Sequence, residues 1–327
     1  MGPLWKVCTS RTFCGNCRIG DRNDSKLSSR WRKTVKEGLC VLNGFLNLYK
    51  PLGMSSHQAV SKIRMMTGQK QVGHAGTLDP MAEGVLPIAM GSYTRLLEWT
   101  NLVPKVYHAH MTLGTQTHSG DREGYVVAES GAPFPNVDQI ATVLRWFRGE
   151  ILQFPPQVSA LKQGGRRAYD LVRHGRTPWL APRHTVVEDI RLTGGQNRCW
   201  SLELTVGSGT YIRAIVRDMG FILGHAASLQ SLLRVRVGSF TLENAHRLDQ
   251  LNQHTDWKRL LLTRPSLLTI PAVAVTGRAI PDLVHGKISA IPHIEGESGV
   301  VSLSCDNVVV AVVEGPPWRF RKVIGKE

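Results

Sequence analysis

The chain has 327 residues, of which 42% are hydrophobic and 20% charged, and its 40 Lys and Arg outnumber 25 Asp and Glu to give a formal net charge of +15. This composition is typical of a soluble globular protein, and no stretch approaches the roughly 18 uncharged apolar residues of a membrane span. The excess positive charge favours a polyanionic partner. Six cysteines without an apolar signal-peptide core argue against a disulfide-stapled secreted protein, so we expect a cytoplasmic one.

Residues 1–40 are polar and basic and show no convincing periodicity. Cys14 and Cys17 have the spacing of half a zinc site, but Cys8 and Cys40 are single and supply no second close pair. We therefore predict a disordered N-terminal extension without a metal. A start assigned too early and a targeting peptide remain as alternatives.

The next segments read as a strand and a helix. Residues 44–50 alternate as a strand does and stop at Pro51, after which Ser55 or Ser56 can cap a helix over residues 57–67. The exposed side of this helix is basic, which is typical of a solvated face and also of a surface that binds phosphates.

Residues 72–91 read VGHAGTLDPMAEGVLPIAMG. They place the Asp79 carboxylate on a glycine-rich loop, and Pro80 biases it toward an extended conformation before the apolar, strand-like run 85–90. A carboxylate at a rigid bend suits chemistry. An ordinary Asp-Pro turn between two elements fits the local composition as well.

Periodicity predicts the later elements. Helices are expected over residues 94–102, 137–148, 211–223 and around the basic cluster that includes Arg166, Arg167 and Arg173. Strands are expected over residues 107–113, 185–192, 200–206 and 232–237, and shorter ones over 272–275, 299–304 and 307–313. The glycine-rich turn before residue 211 would place Arg213 near a helix start, from where it can reach a loop carboxylate.

Four blocks, in this order, resemble the TruB family of tRNA pseudouridine synthases: GFLNLYKP at 44–51, GHAGTLDPMAEGVLPIAMG at 73–91, PPQVSALK at 155–162 and GSGTYIR at 207–213. The resemblance runs from residue 44 to about residue 250. It implies an α+β pseudouridine synthase fold over residues 41–264, with a central mixed, mostly antiparallel sheet flanked by helices. It also implies a small β-rich, PUA-like RNA-binding domain over residues 265–327.

The resemblance implies conversion of a uridine in the T-loop of tRNA, position 55, to pseudouridine after the base is flipped out. Asp79 would attack the ribose or the ring, or relay a proton in a glycal route, and Arg213 would keep it ionised. Tyr107 would stack on the uracil, although a strand aromatic is usually core, and Tyr211 would line the pocket. Substrate contacts are implied for Lys50, Lys62, His74, Gly76, Thr77, Arg166, Arg167 and Leu232. No metal or other cofactor is implied.

Two departures from the family pattern stand out: His118 occupies a position that generally carries an acid, and Ser208 one that mostly carries a lysine. Two other classes of function compete. A glycosidase would need a second catalytic carboxylate, for which Glu83 is the nearest motif acid, and a non-catalytic RNA-binding module would not need the Asp79 constellation. Guide-RNA-dependent relatives are disfavoured because the chain lacks lysine-rich tails. We expect a monomer that binds the tRNA T-stem-loop without a guide RNA or a membrane.

Overall fold

The computed structural model describes residues 41–294, 296 and 298–324. The N-terminal extension, which the sequence predicts to be disordered, lies outside these residues. So do its four cysteines. The α-helices are numbered α1 Ser56–Thr67, α2 Val137–Arg145, α3 Ala168–Arg173, α4 Ile212–Ile222, α5 Trp257–Leu260 and α6 Ile280–Val284. The strands are β1 Gly44–Lys50, β2 Val72–His74, β3 Ala82–Met90, β4 Lys105–Leu113, β5 Thr115–Thr117, β6 Val126–Glu129, β7 Gly149–Gln153, β8 Lys162–Gln163, β9 Arg166–Arg167, β10 Arg183–Gln196, β11 Cys199–Val206, β12 Ala227–Val237, β13 Phe240–Thr241, β14 His246–Arg247, β15 Leu261–Leu262, β16 Ala272–Ala274, β17 Gly299–Cys305, β18 Val308–Gly315 and β19 Arg319–Val323.

The largest sheet has the strand order β14-β1-β3-β12-β4-β11-β10-β7. Two neighbouring pairs, β1 with β14 and β3 with β12, are parallel, and the other pairs are antiparallel. Helix α2 packs on β10 and α4 on β12. The α+β class with a mixed, mostly antiparallel sheet is therefore confirmed.

Strand β1 shows how the sheet divides the core, because alternate side chains of a strand point to opposite faces. Leu46 and Leu48 join a buried cluster with residues of α1, α2 and α4, whereas Phe45 joins a second cluster on the other face. Phe45 packs edge to face on Tyr93 and Phe240, with ring centroids 5.4 and 6.0 Å apart. The central strands are covered on both faces and form a rigid base.

Helix α1 begins where the sequence predicts. The Ser55 hydroxyl accepts a hydrogen bond from the Gln58 N–H, and the Gln58 side chain accepts one from the Ser55 N–H, which makes a capping box. The Ser56 hydroxyl instead contacts the backbone of Leu78. It accepts a hydrogen bond from the Leu78 N–H at 2.8 Å and donates one to the Leu78 carbonyl at 2.9 Å. The start of the helix is thereby tied to the loop before Asp79.

Residues from 265 onward build a separate sheet in the order β16-β17-β18-β19. Val309 and Val312 of this sheet share the buried cluster that contains Phe45. The small β-rich C-terminal part is present as predicted. A boundary between residues 264 and 265 and an RNA-binding role for this part stay predictions.

Two predicted helices differ from the structure. Gly164 and Gly165 adopt left-handed φ angles of 57° and 80°, so the chain turns back and Arg166 and Arg167 form strand β9 against β8. The helical prediction for these two arginines was wrong, and α3 starts only after them. The helix expected over 94–102 is a 3-10 helix, Gly91–Trp99, whose start is fixed by a hydrogen bond from the Ser92 N–H to the Asn43 side chain.

Candidate active site

The loop that carries Asp79 is held by its backbone. Five successive carbonyl groups accept hydrogen bonds, namely those of Gly76, Thr77, Leu78, Asp79 and Pro80. Arg234 on β12 donates to the first two at 3.0 and 3.2 Å and to the carbonyl of Val85 at 2.8 Å. The Ser56 hydroxyl donates to the carbonyl of Leu78. The N–H groups of Ala82 and Gly53 donate to the carbonyls of Asp79 and Pro80 at 3.1 and 2.9 Å. The loop is therefore pre-organised.

Gly84 lets Arg234 lie under this loop. The parallel strands β3 and β12 pair at Gly84 and Arg234. A Cβ on Gly84, whose φ is 109°, would collide with the carbonyl oxygen of Arg234. Glycine is required here because the two backbones approach too closely for a side chain.

Arg213 binds two carboxylates. Its Nη2 lies 2.8 Å from Asp79 Oδ2 and its Nη1 3.6 Å from Asp121 Oδ2. It also donates to the carbonyls of Ser119 and Val158, at 2.7 and 3.1 Å. The side chain of Arg213 is 5% exposed and that of Asp79 35% exposed. The cation is thus buried and fixed, while the carboxylate it holds stays open to the cleft.

Neither of the other nearby acids is placed as a second reagent. Asp121 is buried, and its Oδ1 accepts from the Ser119 hydroxyl at 2.7 Å and from the Glu123 N–H at 3.1 Å. The Glu83 carboxylate accepts a hydrogen bond of 2.5 Å from the Tyr49 hydroxyl. Among the described residues, neither of these two acids forms with Asp79 the facing pair of carboxylates that a glycosidase uses.

Tyr211 directly precedes α4 and is fixed by Gln153. The Gln153 side chain accepts from the Tyr211 N–H at 2.8 Å and donates to its carbonyl at 3.1 Å. Burial raises the pKa of the Tyr211 phenol, and the nearby Asp79 charge raises it further. The phenol therefore stays protonated at neutral pH and can donate a hydrogen bond.

Tyr107 and Leu232 lie on the neighbouring strands β4 and β12, and each is 6% exposed. Both belong to the buried cluster that includes Leu78. Tyr107 is opposite Arg234 in the strand register, and Leu232 is opposite Ala82. The sheet therefore brings the predicted aromatic and its apolar neighbour beside the residues that support the Asp79 loop.

Lys50, which the sequence predicts as a substrate contact, bonds the backbone after β1. Its side chain is fully buried, and its ammonium donates to the carbonyls of Pro51 at 2.9 Å and Met54 at 2.6 Å. Burial lowers the pKa of Lys50 to about 8, with the Asp79 charge acting in the opposite direction. The Lys50 side chain thus supports the loop after β1, and its contact with the substrate stays a prediction.

His74, Gly76 and Thr77 precede Asp79 on the same segment of the chain. His74 and Gly76 are half-buried and Thr77 is exposed. The Nδ1 atom of His74 is buried and has no hydrogen-bond partner in the described part of the chain. Burial lowers the pKa of His74, with smaller effects from the Arg234 and His57 charges, so the ring is neutral at pH 7. The site thus offers a neutral imidazole three residues before the exposed Thr77.

The predicted basic contacts lie on the surface. Lys62 on α1 and Arg166 and Arg167 in the β8–β9 hairpin are all exposed. The Arg167 guanidinium also donates to the carbonyl of Ala160 at 3.0 Å. Their exposure suits contact with a large polyanion.

Both departures from the family pattern have a structural account. The Nδ1 atom of His118 accepts from the Tyr125 N–H at 3.1 Å, and the two rings stack with centroids 4.0 Å apart. His118 therefore closes the β5–β6 hairpin. Ser208 receives a hydrogen bond of 3.3 Å from the ammonium of Lys105, so a lysine from another strand reaches this turn.

Sequence reasoning missed three residues of the site: Asp121, Gln153 and Arg234. Arg234 could have been found, because strand alternation places it on the same face as Leu232 and a charge at an inward position needs partners. Asp121 and Gln153 lie in loops and at a strand end, where no periodicity indicates which way a side chain points.

The described residues contain neither a candidate metal site nor a candidate membrane-spanning helix. No group of three or more His, Cys, Asp or Glu side chains that could hold a metal ion is found there. Within the same residues, no helix is long and apolar enough to cross a membrane.

Comparison with known proteins agrees with this geometry. Residues 64–212 match the family model described as "TruB family pseudouridylate synthase (N terminal domain)". The chain is 37% identical over 257 residues to tRNA pseudouridine synthase B of Synechocystis sp., a match that covers 77% of this chain and 86% of that protein. It is 38% identical over 293 residues to tRNA pseudouridine synthase B of Mycobacterium sp. (strain KMS), covering 88% and 97% of the two chains.

A solved structure is similar as well. A chain in the crystal structure of a Cbf5-Nop10-Gar1 complex superposes with a TM-score of 0.59 at 26% identity, covering 83% of this chain and 78% of that one. The fold is that of the pseudouridine synthases. Within that class, the chain belongs to the TruB family.

Proposed function

We propose that this chain isomerises a uridine in the T-loop of tRNA, at position 55, to pseudouridine. The observation that carries the proposal is the Asp79 carboxylate, fixed by a loop whose five carbonyls are all bonded and by Arg213 at 2.8 Å, yet 35% exposed. The names of relatives such as the Synechocystis protein support tRNA as the substrate.

The reaction needs an anionic carboxylate at the glycosidic bond. In our proposal Asp79 is the catalytic residue, and Arg213 orients its carboxylate through the contact between Nη2 and Asp79 Oδ2 at 2.8 Å. Asp121 and Lys50 act on Asp79 only indirectly, Asp121 by fixing Arg213 and Lys50 by bracing the loop after β1.

The flipped base needs a dry, apolar site. Tyr107 and Leu232 would form its floor, and the protonated phenol of Tyr211 would donate a hydrogen bond or a proton to the uracil as it turns. His74, Gly76 and Thr77 would contact the nucleotides on either side of the opening. We also propose that the chain acts without a guide RNA, as a monomer in the cytoplasm.

The deciding experiment incubates the purified chain with an unmodified tRNA transcript and no other component. Carbodiimide treatment and primer extension should show one enzyme-dependent stop, at the T-loop uridine. A transcript that stays unmodified although the chain binds it would instead identify a binding module, and modification only after a guide RNA is added would place the chain with guide-dependent enzymes.

Tyr107→Phe should keep most activity because it retains the ring, whereas Tyr107→Ala should lose about 1 to 3 kcal/mol of stacking in addition to its stability loss. Met111→Ala is the matched control, because Met111 is buried on the same face of β4. Turnover per folded molecule should fall for Tyr107→Ala and not for Met111→Ala. Equal turnover in the two alanine variants would return Tyr107 to an ordinary core role.

Affinity for tRNA should fall steeply with salt, because each phosphate contact releases counterions. In a plot of log affinity against log salt concentration, Lys62→Glu and Arg166→Glu should each make the negative slope shallower by about 0.7 to 0.9. Filter binding between low and moderate salt measures this slope. A slope unchanged in both variants would remove this surface from the RNA interface.

A further inference from the structure

Lys105 lies beside the Asp79 loop and has no part in the chemistry described above. It is the first residue of β4 and is half-buried. Its ammonium lies 3.9 Å from the position a Cβ would occupy on Gly76 and donates to the Ser208 hydroxyl at 3.3 Å. The loop, the strand and the turn before Tyr211 therefore converge on one ammonium group.

Lys105 and Arg234 are neighbouring cations, and within the described residues no hydrogen bond or ion pair joins either of them to a carboxylate. A guanidinium nitrogen of Arg234 lies 3.8 Å from the position that a Cβ on Gly76 would occupy. The guanidinium donates its hydrogen bonds to backbone carbonyls. Burial, and then the Arg234 charge, lower the pKa of Lys105 to about 8, and no carboxylate contributes to that shift. Arg213, in contrast, is matched by Asp79 and Asp121. An uncompensated charge of this kind favours an anionic ligand.

The geometry fits a phosphodiester of the substrate strand. Lys105 and Tyr107 are two residues apart on a regular part of β4, so they share a face about 7 Å apart along the strand. This separation is comparable with that between a nucleobase and the phosphates of its own nucleotide. Gly76 has no side chain, which leaves the ammonium accessible from the loop.

We propose that Lys105, together with the Ser208 hydroxyl, binds one of the two phosphates that flank the flipped uridine. The proposal rests on the proposed function, because the base on Tyr107 is what brings that phosphate to Lys105. The contact would anchor the sugar–phosphate backbone at the site while the uracil detaches and turns.

The test combines a protein variant with a single-linkage change in the RNA, using the full chain and a synthetic T-stem-loop. Two RNAs carry one uncharged methylphosphonate each, either 5′ or 3′ of the target uridine. For the parent enzyme, one of them should bind about tenfold more weakly than unmodified RNA. Lys105→Met should bind unmodified RNA with a similar loss and show no further loss with that methylphosphonate.

Lys258→Met is the control, because it removes the same charge from the exposed surface of α5. This control should lose as much affinity for the methylphosphonate RNA, relative to unmodified RNA, as the parent enzyme does. Ser208→Ala keeps the Lys105 ammonium, and the affinity that it loses with the methylphosphonate RNA should be smaller than in the parent enzyme. The proposal is overturned if Lys105→Met shows the parental penalty at both linkages. A parent enzyme that binds unmodified RNA without forming pseudouridine would instead overturn the proposed function, so the two failures are distinguishable.

Discussion

Asp79→Asn should fold and bind tRNA as the parent does but lose pseudouridine formation by more than about 10⁴-fold. The amide keeps the shape of the carboxylate and can still accept the Arg213 hydrogen bond, whereas it can neither attack as an anion nor take a proton. Because one negative charge is removed beside a polyanion, affinity should stay equal or rise slightly. Filter binding and tritium release from 5-³H-uridine tRNA separate the two effects.

Asp138→Asn makes the same chemical change on the exposed start of α2 and should leave turnover at the parental level. Thermal unfolding of both variants shows whether either loses structure. An Asp79→Asn enzyme that turns over like the control would remove Asp79 from catalysis and with it the functional assignment.

Arg213→Ala should lose activity and stability together. The substitution removes the cation that the buried Asp121 and the half-buried Asp79 share, and it frees two carbonyl acceptors, those of Ser119 and Val158. Removing one partner of a buried ion pair costs about 3 to 5 kcal/mol, which urea unfolding measures. Arg213→Lys keeps one charge without the fork, and its turnover should fall only by about 10²- to 10³-fold.

The control is Arg217→Ala, four residues further along the same helix, where the side chain is 27% exposed and bonds Asp218 and the Phe154 carbonyl. It should cost less than about 1 kcal/mol and leave turnover near that of the parent. If Arg213→Ala unfolds in the same urea range as Arg217→Ala and stays active, the Asp79–Arg213 pair is not what holds the site together.

The strands and helices that periodicity predicted well are those with one clear face. In β4, Tyr107, Ala109, Met111 and Leu113 are all buried, as their spacing indicated. The capped start of α1 was equally local, because Ser55 and Gln58 satisfy each other within one turn. The helix predicted through Arg166 failed for a local reason too, since the Gly164-Gly165 turn outweighed a helical charge pattern.

The sequence alone determined that Asp79 stands at a rigid bend and that Arg213 begins a helix after a glycine-rich turn, because proline, glycine and spacing act on neighbouring residues. Only the tertiary structure decided which distant groups complete the site. Asp121 lies 42 positions and Arg234 155 positions from Asp79 in the sequence, and Gln153 lies 58 positions from Tyr211. The burial of Lys50 was equally hidden in the sequence. Long-range pairing of strands places these groups, and strand alternation states only the face of a side chain, never the partner it meets there.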